Sequence, residues 1–100
     1  MAKQIIGKNG HLCIEMTVDE AVNECGFGIP DTEAVCDNCN TLLTIEQKEP
    51  VYYVAVLNML FCKDCFEDYI ENAPYYEEDK IYEKNNYNRY AKLLNLDLIK

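Results

Sequence analysis

Four cysteines constrain this chain more than anything else in it. Cys36-Asp37-Asn38-Cys39 and Cys62-Lys63-Asp64-Cys65 are two Cys-x-x-Cys pairs separated by residues 40–61. Two residues between cysteines let one tight turn aim both thiols at a single point. The intervening stretch is long enough for strands to run out and return. Four thiolates gathered in this way suit one tetrahedral Zn²⁺, with sulfur about 2.3 Å from the metal. A chain of 100 residues buries only a modest core, and small domains of this kind commonly depend on a metal or disulfide staple. If all four cysteines bind, no coordination position is left for water, so one structural zinc is expected and catalytic zinc is not.

Three other uses of the cysteines fit less well. A thioredoxin-type pair needs a βαβ scaffold and leaves the second pair unexplained. Two disulfides need an oxidising compartment that nothing in the sequence signals. An iron–sulfur cluster also accepts four cysteines, but short pairs with a hairpin between them follow the zinc pattern.

Charge narrows the choice of partner. The chain carries 9 basic and 18 acidic side chains, a formal net charge of −9. The excess acid lies before residue 75, because residues 75–100 balance. Such a field repels phosphate backbones and anionic membrane surfaces. Arg89 is the single arginine, so bidentate guanine or phosphate recognition is nearly absent. Direct binding to nucleic acid is therefore not expected.

Some chemistry is excluded by absence. There is no serine, and His11 is the single histidine, so most nucleophile–base constellations cannot be assembled. No apolar run approaches the length of a membrane span. Residues 1–11 lack the apolar stretch of a secretory signal. These features predict a non-enzymatic protein working in the reducing cytoplasm of a bacterial or host cell.

The organisation reads as one domain, 1–100, in three segments that change near the prolines. In residues 1–33, Gln4–Ile6 and Leu12–Val18 predict a hairpin across Gly7-Lys8-Asn9-Gly10. A short helix over Glu20–Cys25 follows, capped by Thr17 or Asp19 and stopped by Gly26. In residues 34–74, a strand is expected over Thr41–Ile45. Two more are expected over Val51–Val56 and Met59–Phe61, with Leu57-Asn58 as the turn. A helix after Cys62 buries Phe66, Tyr69, Ile70 and Ala73. In residues 75–100, Asn85-Asn86 weakens helical propensity. The spacing of Tyr87, Tyr90, Ala91, Leu94 and Leu98 predicts an amphipathic helix beyond it.

The run from Val35 to Ile70 resembles a treble-clef zinc finger, similar to one finger of a LIM domain. Cys36-Asp37-Asn38-Cys39 matches the knuckle and Tyr52–Phe61 the hairpin. Cys62-Lys63-Asp64-Cys65-Phe66 matches the entry to the helix. A LIM domain has two consecutive fingers, and this sequence has one. The resemblance implies structural zinc and a protein-binding role. The expected fold is small α+β: one treble-clef finger, preceded by an N-terminal hairpin and short helix and followed by a C-terminal helix.

The remaining candidates concern partners. Tyr75, Tyr76 and Tyr82 stand among acids, away from core spacing, and with Glu77, Glu78 and Asp79 they form the expected interaction surface. The acidic run from Glu67 to Glu83 is most simply a solvated face, or it meets a basic partner. His11, Cys13 and Cys25 could make a second metal site only with a further ligand. A buried free cysteine ordinarily serves as a small apolar side chain. The leading reading is thus an adaptor or regulator acting through a protein with a basic surface. A second is an acidic nucleic-acid mimic that inhibits a host nuclease or other nucleic-acid-binding protein, as an anti-defence protein of a phage or mobile element. A third is a nucleic-acid-binding finger, which would need a basic face. Oligomeric state is not legible.

Overall fold

The computed structural model describes residues 2–7 and 9–99. It is a small α+β fold. Its elements are β1 (Lys3–Ile6), β2 (Leu12–Met16), a π-type turn (Glu20–Glu24), β3 (Glu33–Val35) and β4 (Leu42–Thr44). These are followed by β5 (Val51–Val54), β6 (Met59–Phe61), α1 (Lys63–Asn72), a 3₁₀ turn (Glu77–Asp79) and α2 (Lys80–Leu93). Four strands form an antiparallel sheet in the order β1-β2-β5-β6, and β3 and β4 form a separate ribbon.

The continuous apolar run of β5 reflects cover on both faces of the sheet. All four of its residues are buried. Neighbouring strand residues point to opposite faces. Tyr52 stacks on Phe66 of α1, with ring centroids 4.1 Å apart. Tyr53 turns the other way and meets Tyr90 of α2 at 4.5 Å and Phe27 at 5.9 Å. Register carries Ile14 and Leu60 alongside Tyr53 on that second face. The turn closing β5 and β6 uses Asn58 with φ +55°, a conformation that asparagine tolerates better than most residues. The Asn58 side chain also accepts a 2.6 Å hydrogen bond from the Tyr53 hydroxyl.

The first hairpin forms as expected, with Lys8 of its turn outside the described residues, and the expected short helix over Glu20–Cys25 takes the form of the π-type turn Glu20–Glu24. Thr17, not Asp19, is the capping residue. Its hydroxyl accepts from Glu20 N–H at 3.1 Å, and Glu20 Oε1 accepts from Thr17 N–H at 2.9 Å. This reciprocal pair is a capping box.

Two expectations are corrected. Strand β3 was not anticipated, because Glu33-Ala34-Val35 is too short to carry a period. The C-terminal helix begins seven residues earlier than the apolar spacing implies and ends before Leu98. Asn86 does not break it, because its buried side chain donates to Ala55 C=O at 2.9 Å and leaves the local backbone alone. Asn95 ends it at φ +60°. Leu96 N–H then reaches Ala91 C=O at 2.8 Å and Asn95 N–H reaches Lys92 C=O at 3.4 Å, which is the Schellman arrangement.

Glu83 is a further correction, because it does not belong to a solvated acidic face. It is buried on α2 beside buried His11. Its Oε2 accepts from Leu12 N–H at 3.0 Å and lies 3.8 Å from His11 Nδ1, too far for a hydrogen bond. The Nδ1 atom has no hydrogen-bond partner. Burial, opposed by the Leu12 amide, His11 and the Tyr75 hydroxyl, pushes the Glu83 carboxyl above its ordinary range. A carboxyl raised on folding favours the folded state below its unfolded value, and that contribution is lost as pH rises through the folded value. Glu83→Gln should therefore flatten the pH dependence of stability above the ordinary carboxylate range and leave neutral-pH stability within about 1 kcal/mol. Glu83→Ala should cost about 2–3 kcal/mol by orphaning the Leu12 amide. Urea melts of both variants across pH read this directly.

Candidate metal centre

The four Cys-x-x-Cys sulfurs converge. Cys36, Cys39, Cys62 and Cys65 place their Sγ atoms all within 4.8 Å of one another, the one such cluster found among the described residues. Cys39 Sγ and Cys62 Sγ are 3.8 Å apart. A tetrahedron with metal–sulfur bonds of about 2.3 Å has edges of about 3.8 Å. The spacing therefore fits one metal ion at the centre of the four sulfurs.

Local backbone sets this geometry. The first pair sits in a tight turn closed by Asn40 N–H to Cys36 C=O at 2.9 Å and Cys36 N–H to Thr41 C=O at 3.0 Å. Asn40 takes φ +64° to complete it. Asp37 fastens this knuckle to β6. Its N–H donates to Leu60 C=O at 2.8 Å, and its Oδ2 accepts from Leu60 N–H at 2.8 Å. The second pair sits at the start of α1: Cys62 is the N-cap residue and Cys65 lies in the first turn. The positive end of the helix dipole thus faces two sulfurs.

Donors surround the cluster. Cys62 N–H donates to Cys36 Sγ at 3.3 Å, and the Asn38 amide donates to Cys65 Sγ at 3.3 Å. The Thr41 hydroxyl lies 2.9 Å from Cys39 Sγ. Hydrogen bonds from the Thr41 side chain and backbone hold the exposed Cys39 thiol down at about 6. Burial pushes Cys62 up to about 12. Without metal Cys39 and Cys62 therefore do not ionise together at neutral pH. A divalent ion must displace the protons that remain, so acid weakens its binding.

The other sequence candidates are placed apart from this centre. His11, Cys13 and Cys25 form no ligand cluster of three among the described residues. Cys13 is buried and Cys25 half-buried, both as free thiols. Burial pushes each up to about 12. Tyr76 and Tyr82 are 54% and 52% exposed, and Glu77 and Glu78 are exposed beside them. Asp79 is half-buried. Tyr75 is half-buried, with its ring turned edge-on to His11 at 5.5 Å. Sequence reasoning missed Ile81, which is 74% exposed. Its signal was present: an isoleucine between Lys80 and Tyr82 that serves no core spacing. Lys63, at the cluster, is exposed. Among the described residues no helix is long and apolar enough to cross a membrane.

Comparison with protein-family models, with curated proteins and with solved structures returns no match to this chain.

Proposed function

We propose that the protein is a non-catalytic interaction module in which one structural Zn²⁺, held by Cys36, Cys39, Cys62 and Cys65, staples a treble-clef-type finger. The carrying observation is the set of four sulfurs all within 4.8 Å of one another, with Cys39 and Cys62 at the 3.8 Å edge of a metal tetrahedron. A four-thiolate donor set selects zinc over harder ions and leaves no site for a reacting water. The order of knuckle, strand pair and helix supports the treble-clef reading.

The interaction surface is the 3₁₀ turn and the start of α2, from Tyr76 to Tyr82. It presents Tyr76, Ile81 and Tyr82 with the acids Glu77 and Glu78 at their side. Exposed aromatics provide contact area at low entropic cost, and the flanking carboxylates favour a basic protein partner.

Two arms test this. In gel shift at moderate salt, generic DNA and RNA should remain unbound. Salt-sensitive binding to either would instead favour a nucleic-acid-binding finger. For a partner captured from cells, Tyr76→Ala with Tyr82→Ala should weaken binding at least tenfold while zinc content and melting temperature stay unchanged. A partner indifferent to both substitutions contradicts the assigned surface.

A further inference from the structure

We infer that the open side of the four-sulfur centre is a reaction site for hydroperoxides, at which Cys39 attacks, Cys62 closes a disulfide with it, and the metal is expelled. This rests on the zinc reading above. The four sulfurs are not equivalent. Cys36 is fully buried and Cys39 is exposed. Beside the cluster lies an open cavity of about 340 Å³, lined by Cys39, Cys62, Cys65, Thr41 and Lys63 but not by Cys36. A small oxidant thus has a route to Cys39 and to Cys62, 3.8 Å away.

The same cavity offers groups that assist departure of oxygen. Lys63 carries an ammonium, and the Thr41 hydroxyl already contacts the Cys39 sulfur. The two cysteines outside the centre compete poorly. Burial keeps Cys13 and Cys25 protonated at neutral pH, and it is the thiolate that reacts. Bound zinc would hold the sulfurs of the centre as thiolates, which Cys13 and Cys25 lack, and the fold ranks those sulfurs by access.

The step balances. The Cys39 thiolate attacks one peroxide oxygen, the O–O bond breaks, and an alkoxide leaves and takes a proton to become an alcohol. Cys39 is then a sulfenic acid. The Cys62 thiolate attacks the Cys39 sulfur, the S–S bond forms, and the S–O bond breaks. The departing hydroxide takes a proton to become water. Two electrons pass from the two sulfurs to the peroxide, and Zn²⁺ leaves unreduced after losing two ligands. The disulfide joins the knuckle to the start of α1, not the two cysteines of either Cys-x-x-Cys pair.

The test uses the zinc-loaded protein and tert-butyl hydroperoxide. Zinc content is measured first, release is then followed with a chromogenic chelator, and disulfides are mapped by peptide mass spectrometry. One zinc should be freed per peroxide consumed, with Cys39–Cys62 as the dominant new link. Without mutation, substoichiometric N-ethylmaleimide should modify Cys39 at least tenfold faster than Cys36. A dominant Cys36–Cys39 or Cys62–Cys65 link, first reaction at Cys13 or Cys25, or a zinc-loaded centre inert to the peroxide overturns the inference and leaves the zinc reading standing. A folded protein that contains no metal removes both.

Discussion

Chelation of the metal should abolish cooperative unfolding of residues 34–74 and lower the stability of the whole chain by more than any single core substitution. The reason is the size of the opposing terms. Structural zinc contributes about 10–16 kcal/mol of apparent binding free energy in finger peptides at neutral pH. A small domain holds about 5–15 kcal/mol of net stability. Here the metal would bridge the knuckle at Cys36–Cys39 to the start of α1 at Cys62–Cys65, and otherwise that junction rests on Asp37–Leu60 and a few hydrogen bonds to sulfur. Cys36→Ala should act like the chelator. Its sulfur is the fully buried member of the set and accepts the Cys62 amide. Cys39→Ala should retain weak metal binding, since Cys39 stands at the open side. Circular dichroism melts with and without a strong chelator, followed by zinc repletion, check both. Reversal on repletion is expected, and a melting curve unchanged by chelator would defeat the staple argument.

Tyr53→Ala should be the most damaging substitution away from the metal, at about 3–5 kcal/mol. Tyr53 is fully buried in β5 and joins three parts of the chain. Its ring meets Phe27 from the loop after the π-type turn and Tyr90 from α2, and Phe27 and Tyr90 also stack on each other at 5.2 Å. Truncation would leave a cavity between rings that cannot collapse without moving α2. Tyr53→Phe keeps the packing and loses the hydrogen bond to Asn58, so it should cost about 1 kcal/mol. The interval between the two variants in urea denaturation separates packing from polarity. Equal costs for both would contradict the cavity argument.

The metal centre was the most legible part of the molecule, because Cys-x-x-Cys fixes geometry locally. The turn Cys36–Asn40 and the helix start at Cys62 each need only a few residues to aim two sulfurs. The strand over Val51–Val54 was legible for a related reason. A run of apolar and aromatic residues without alternation implies cover on both faces, and α1 and α2 supply it. What escaped depends on partners far away in sequence. Asn86 is a poor helix former by itself, yet here it serves Ala55, 31 residues distant. His11 and Glu83 are buried together although neither lies in an apolar pattern, because the start of β2 and the face of α2 meet only once the sheet has formed. Strand β3 gains its identity from pairing Glu33, Ala34 and Val35 with Thr44, Leu43 and Leu42. Asn95, by contrast, was readable: an asparagine after an apolar helical turn is a stop signal. The apolar spacing that continues to Leu98 masked it.

The proposed staple is one ion bound by the sulfurs of Cys36, Cys39, Cys62 and Cys65. Zinc K-edge X-ray absorption on purified protein, with metal content measured on the same sample, tests this most directly. One zinc per chain with four sulfur neighbours at about 2.3 Å and no nitrogen or oxygen in the first shell is the expected result. A shell containing nitrogen or oxygen, a second zinc, iron in its place, or a folded protein without metal would contradict it.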